Sequence, residues 1–524
     1  MTNVVYDLWA RDRLRFGVIA AVVLLGAMRL FYAARAELLP EEAYYWTYLQ
    51  HPALSYYDHP PMVAWVIALG TALLGDTELG VRLGTIILSL GSCWLIFLTG
   101  RIWFGRQAAL WAAFLFAILP IFVGTGTLAF PDGPLIFFWL LTLYLVSKAI
   151  HARGVAPRPF AGANAGRTRR TLYWLLAGLA FGLALLSKYT AVMLGPSLAL
   201  FLLFSREHRV WLRRAQPWIA LIIALLVFAP VIIWNAQHDW ASFRFQTLRS
   251  SQPNPDTLTD VLNFWGMQVG ALTPMLFALF IVAAWHAIKS GWWQRDDRWN
   301  FVASFFVPLF LVFVKASFTT DVHINWTAPA YLSLTLAGAA VFAEGLDDTR
   351  PGRVRWWRAG GLFTAAVCGA VFLLPMGSLV WVVPKALVYH DAGGWRELGR
   401  TIEAAEENLE KRTGRKVFTI GTDKYPLAAE LGFYTREPDE QVNTFALGKQ
   451  GLGYRYWTDL RQLEGLPAVA VLNNLHIGSL AELSHGFDHM DEPRRIEVAT
   501  GPSRSRTFYV VNCYGYRATP SSAP

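Results

Sequence analysis

Glu41 and Glu42 stand side by side in PEEAYYWTYLQHPALSYYDHPP, residues 40–61, and the same stretch holds Tyr57, Asp58 and His59 ahead of Pro60-Pro61. A carboxylate in hydrogen-bond reach can take the proton of a hydroxyl. A carboxylate and an imidazole can ligate a divalent ion, although two ligands fall short of the usual three or four. Connections between elements are mostly short, and long ones tend to be functional. Four further stretches carry polar residues of the same kind: Asp132 in LAFPDGPL, Lys188-Tyr189 in LLSKYTAV, His238-Asp239-Trp240 in WNAQHDWASFRFQ, and Asp321, His323 and Asn325 between two later apolar runs.

Each of these has a plainer role beside the chemical one. Lys188 interrupts an otherwise apolar run over 172–204. Read as two short helices meeting at a surface, the run places Lys188 at the turn, where a point charge suits a phosphate. The alternative is a lysine that snorkels to the interface, but ionisable residues at membrane depth are costly and mark function by default. Glu41 and Glu42 equally suit a solvated helix N-terminus, and Asp132 a helix cap. For those acids, residue type alone leaves both readings open.

The elements that must position these groups are membrane helices. The 524 residues are 54% hydrophobic and 16% charged, against about 25% charged in soluble domains. About eleven apolar runs approach spanning length, at 16–34, 79–99, 108–123, 135–150, 172–187, 189–204, 217–234, 264–288, 301–315, 326–342 and 360–383. Met62–Leu74 is apolar but short, and reads as interfacial or re-entrant. After Pro40 a short helix is expected, with Glu42, Tyr45, Trp46 and Leu49 on a face suited to the membrane–water interface. Arginines before 16–34 and no small-residue cleavage site after it argue for an uncleaved first span.

Basic residues set the orientation. With the N-terminus in the cytoplasm, Arg11/Arg13/Arg15, Arg101/Arg106, Arg153/Arg158/Arg167/Arg169/Arg170, Arg206/Arg209/Arg213/Arg214, Lys289/Arg295/Arg298 and Arg350/Arg353/Arg355/Arg358 fall inside. The alternate gaps hold fewer: Arg35, Arg82, Lys188, Arg244 and Arg249. All the polar stretches above then share the outer side and are expected to converge on one pocket. The same distribution turns the net charge of +9 into a topology signal and excludes a nucleic-acid partner. Cys93, Cys368 and Cys513 build no disulfide framework. The organisation expected is a membrane domain over 1–384 and a small α/β domain over 385–524, outside the membrane, with a charged helix at 395–412 and strands at 416–420, 468–472 and 506–513.

The ordered set EEAYYWTYLQHPALSYYDHPPMVAW, PDGPLIFFW, LLSKYTAV and WNAQHDWASFRFQ resembles the membrane glycosyltransferases of the dolichyl-phosphate-mannose protein mannosyltransferase family, whose bacterial branch includes the lipid A aminoarabinose transferase. The likeness covers about residues 16–331. It implies a C-type glycosyltransferase fold and inverting transfer of a sugar from a polyprenyl phosphate to a cell-envelope acceptor at the periplasmic face of a bacterial inner membrane. It also implies roles. The family's catalytic acid falls on Glu41, with Glu42 beside it, and its second acid on Asp132. Its acidic-basic-Pro-Pro motif falls on Asp58-His59-Pro60-Pro61, with histidine where lysine is common. The phosphate contact falls on Lys188, and a metal-binding histidine on His238 opposite Asp58. Tyr57, Tyr189 and Arg244 complete the set expected to bind substrate.

A polytopic transporter or flippase of lipid-linked sugars is the rival class. It needs charged residues along a path through the midplane, whereas the spans here read as nearly free of charge apart from Lys188 and the terminal positions. A receptor using the tail explains neither the loop acids nor Lys188.

Overall fold

Apolar runs without internal hydrogen-bond partners must close their backbone bonds within each segment, so helices dominate. The computed structural model describes residues 2–151, 164–249, 257–379, 393–422, 425–435, 445–446, 452–457, 460–475, 477–501 and 504–517. Arg153, Arg158 and the domain boundary near Pro384 lie outside them. In chain order the first helices are α1 (Thr2–Arg35), α2 (Pro40–Gln50), α3 (Met62–Leu74), α4 (Glu78–Trp103), α5 (Gly105–Ile118) and α6 (Pro120–Thr125). Then come α7 (Asp132–His151), α8 (Asn164–Ser187), α9 (Leu194–Phe204), α10 (Ala215–Gln237) and α11 (Ala241–Arg249). The helical part closes with α12 (Thr257–Leu272), α13 (Pro274–Ala287), α14 (Asp297–Ala316), α15 (Ala328–Leu346) and α16 (Pro351–Leu379).

Among the described residues, eight segments are long and apolar enough to cross a membrane: Leu14–Arg35, Glu78–Trp103, Asp132–His151, Arg167–Ser187, Ala215–Gln237, Pro274–Trp293, Asp297–Ala316 and Ile324–Leu346. The protein is therefore a multi-pass membrane protein. The run at 108–123 breaks at Leu119, ahead of Pro120, and the run at 264–288 breaks at Thr273, whose φ of 65° takes it out of the helix ahead of Pro274. The run at 360–383 falls on α16 and continues past the described residues. One expectation needs correcting: the spans are not nearly free of charge. Arg29 lies buried inside α1, where its guanidinium donates to Ser89 Oγ at 2.7 Å and the Ala117 carbonyl at 3.3 Å. Arg82, expected in an outer gap, is fully buried within α4 and donates to the Ala33 carbonyl at 3.3 Å.

The chain forms two compact units. The first comprises Met1–Ala33, His59–Val66 and Arg82–Leu373. Its interior is filled by Trp139, Trp174, Phe116, Phe201, Phe264 and Phe280, while Leu24, Trp94 and Leu226 point outward as lipid-facing side chains do. The second unit comprises Ala34–Asp58, Ile67–Val81 and Leu374–Pro524. It contains α17 (Trp395–Thr413), β1 (Phe418–Gly421), α18 (Tyr425–Tyr434), β2 (Phe445–Ala446), α19 (Tyr454–Trp457), β3 (Ala468–Leu472), α20 (Ile477–Gly486), β4 (Phe487–Met490), β5 (Arg494–Gly501) and β6 (Arg504–Tyr516). The strands form one mixed sheet in the order β2-β1-β3-β6-β4, with β5 also on β6. Strands β2, β1 and β3 run parallel, and the long β6 pairs antiparallel with β3, β4 and β5. The expected helix and three strands are present, so this part is the small α/β domain read from the sequence.

Candidate active site

The turn after α8 is built as the break in the apolar run suggested. Helix α8 ends at Ser187, Lys188 is extended (φ −159°, ψ 142°), and a 3₁₀ turn over Tyr189–Met193 leads into α9. Lys188 is 7% exposed, and its ammonium donates to both oxygens of Asp132, at 2.8 and 2.9 Å. Asp132 opens α7 but does not spend its carboxylate on capping: Oδ2 also accepts from the Asn325 amide at 2.6 Å. Three stretches far apart in the chain thus meet in one charge-compensated cluster within the first unit. Lys188 is not a snorkelling lysine, because its charge is held inside by a partner rather than led out to water. Beside it, the Tyr189 ring packs edge-on against Phe243 at 5.6 Å.

The His238 stretch forms a tight bend between α10 and α11, with Asp239 and Trp240 at φ of 53° and 59°. Asn235 holds that bend: its carbonyl accepts the Trp240 N–H at 2.8 Å and its side-chain oxygen accepts the Ser242 N–H at 3.1 Å. His238 stacks on Trp234 at 4.0 Å and donates from Nδ1 to the Trp234 carbonyl at 2.8 Å. Arg244 is exposed on α11. His323 is exposed, edge-on to Trp326, and takes no part in the Asp132 cluster.

In the second unit, α2 forms where expected but faces something else. Tyr44, Tyr45, Trp46 and Tyr48 are all buried, as is Glu42. The aromatic face meets protein rather than the membrane–water interface: Trp46 lies edge-on to Phe433 of α18 at 5.0 Å, Tyr44 packs on Tyr425 at 4.7 Å, and Trp46 donates to Asp76 at 2.9 Å. Glu42 reaches back to accept the Leu39 N–H at 3.0 Å, so it serves the start of its own helix. Glu41 is partly exposed. Asp58 is buried, and its Oδ1 accepts from Tyr44 at 2.8 Å and Tyr48 at 2.7 Å. Tyr57 carries the Arg455 guanidinium 4.9 Å above its ring.

The residues expected in one pocket are thus distributed over two units. Asp132, Lys188, Tyr189, His238, Arg244 and His59 belong to the first; Glu41, Glu42, Tyr57 and Asp58 belong to the second. Among the described residues, the group whose ligand atoms stand close enough for a metal ion is a different one. Glu207, His208 and Asp297 bring one atom each within 4.8 Å, with His208 Nε2 3.9 Å from Asp297 Oδ2. Sequence reasoning missed this group, whereas Asn325, named with Asp321 and His323 among the polar residues expected to converge, does reach Asp132.

The first unit is a helical membrane core with a buried lysine–aspartate–amide cluster, and the second carries a small α/β domain. Residues 58–234 match the family described as dolichyl-phosphate-mannose-protein mannosyltransferase. A lipid A galacturonosyltransferase from Rhizobium johnstonii is 26% identical over 419 residues, 80% of this chain and 81% of that one. An undecaprenyl phosphate-α-4-amino-4-deoxy-L-arabinose arabinosyl transferase from Pseudomonas aeruginosa is 29% identical over 231 residues, 43% of this chain, and the match spans only 36% of that enzyme's length. In structure the chain resembles ArnT from Cupriavidus metallidurans at 17% identity. The TM-score is 0.63 for the apo state, over 95% of this chain and 98% of that one, and 0.61 for the form bound to undecaprenyl phosphate. The chain is thus similar to the membrane glycosyltransferases of the mannosyltransferase family, the family match itself covering residues 58–234.

Proposed function

We propose that this protein takes a sugar from undecaprenyl phosphate and transfers it, with inversion, to a hydroxyl of a lipid A-type envelope acceptor at the periplasmic face of a bacterial inner membrane. In that orientation the N-terminus is cytoplasmic and the α/β domain periplasmic. The structural observation behind the reading is the Lys188 turn. A buried ammonium at a helix break gives two N–H groups to Asp132 and has a third for a phosphate oxygen, so charge developing on the leaving phosphate meets a preorganised cation. Asp132, held by Lys188 and Asn325, orients the sugar. His59, Tyr189 and Arg244, all of the first unit, line the donor's path.

Glu41 is the base that takes the acceptor's proton, since Glu42 beside it is engaged with the Leu39 N–H. Asp58 and His238 belong to different units, and among the described residues the group with the spacing for an ion is Glu207, His208 and Asp297, so no ion is assigned to the donor site. The test is Glu41→Gln in the purified protein with donor lipid and lipid A. Transfer should fall by about 10²–10⁴-fold, the range for a lost general base, with donor affinity retained. Turnover near wild type would remove Glu41 from this role, and a deletion strain whose lipid A keeps every sugar would remove the acceptor assignment.

A further inference from the structure

Helix α18 carries a single acid in an apolar frame: Leu427, Ala428, Ala429, Leu431 and Phe433 are buried around Glu430. Glu430 is 0% exposed, and neither of its carboxyl oxygens has a hydrogen-bond partner among the described residues. Positions 430, 433 and 434 share one face of a helix, and the latter two show where it points. Phe433 packs on Trp46, and Tyr434 accepts the Leu38 N–H at 2.9 Å. The carboxyl of Glu430 is therefore aimed at the segment that carries Glu37, Glu41 and Glu42.

A buried carboxylate with no partner is one of the costliest groups a fold can hold, and it escapes the cost by keeping its proton. Burial does most of this here, and the charges of Glu37, Glu42 and Glu41 add to it, holding the Glu430 carboxyl well above the usual carboxylate range; Arg506 of β6 acts the other way. The remaining titratable neighbours are Tyr434 on the same helix and Tyr454 of α19, both kept neutral by burial. A divalent ion would satisfy the same oxygens. Among the described residues, however, only Glu207, His208 and Asp297 reach the spacing an ion needs.

We infer that Glu430 is a positioning residue lent by the α/β domain to the outer loop: a neutral carboxylic acid that packs against the acidic pair without adding a further negative charge. It keeps α2 seated and Glu41 in its working place. Loss of the proton adds a charge beside Glu37, Glu41 and Glu42 and drives α2 off α18, so transfer falls on the alkaline side. This rests on Glu41 being the base.

The experiment is infrared spectroscopy of the full-length protein with a pH profile of kcat/KM. Wild type should show a protonated-carboxyl band near neutral pH that Glu430→Gln removes. Glu430→Ala should lose about tenfold or more in kcat, because the cavity it leaves beneath α2 lets that helix shift from its seat. Glu430→Gln should restore most of that loss and abolish the alkaline fall. A missing band, a band erased by calcium or magnesium, or superimposable alkaline limbs would overturn the inference. The band needs no turnover, so if Glu41→Gln stays active the base assignment fails while Glu430 is still decided by its own spectrum.

Discussion

Lys188 and Asp132 are each affordable out of water only because of the other. Removing one side of such a pair strands the other charge, which costs about 3–5 kcal/mol, whereas replacing both with apolar groups of similar size is often neutral. Asp132→Ala should accordingly lower the melting temperature sharply, and Asp132→Leu with Lys188→Met should recover much of the loss without recovering donor-lipid binding. Equal melting temperatures for Asp132→Ala and wild type would show that the pair is not holding the fold. At this scale the sequence was only partly legible. Lys188 announced itself by breaking an apolar run. Asp132 did not, because an acid after a proline reads equally as a cap, and only the fold brings Lys188 and Asn325 to it. Glu430 was visible as a lone acid in LAAELGFY, but nothing in that octapeptide says that its neighbours are three glutamates near the other end of the chain.

Helices α8 and α10 approach through Gly178 and Gly182, spaced to present small residues on one face. A Cβ at Gly178 would overlap the Ala220 backbone, and one at Gly182 the Val227 side chain. Gly178→Leu should therefore force the pair apart at about 1–3 kcal/mol, the usual cost of overpacking, and loosen the turn at Lys188 that follows α8. The measurement is thermal stability in detergent beside donor binding; a leucine tolerated at both would mean the helices are held elsewhere. Element types were mostly readable, since apolar length and Pro breaks are local signals. The environment of α2 was not. Aromatic residues at helical spacing look alike whether they face lipid headgroups or protein, and only α18 shows which.

The second unit gathers residues from both ends of the chain. Besides the α2 contacts with α18, the Glu37 carboxylate accepts the Trp395 N–H at 3.0 Å, Arg396 pairs with Glu78, and Tyr44 accepts the Gly453 N–H at 3.0 Å. Deleting residues 393–524 should leave the first unit with its Asp132–Lys188 pair, yet abolish transfer and open residues 41–58 to limited proteolysis. A truncated protein that still transfers sugar would show that the loop stands alone. There is a consequence in time. The glutamates leave the ribosome roughly 350 residues before Trp395, and at about 5–20 residues per second they wait roughly 20–70 s for the element that seats them. A translation arrested before residue 395 would yield nearly every span while residues 34–58 still lacked the elements they pack against in the second unit.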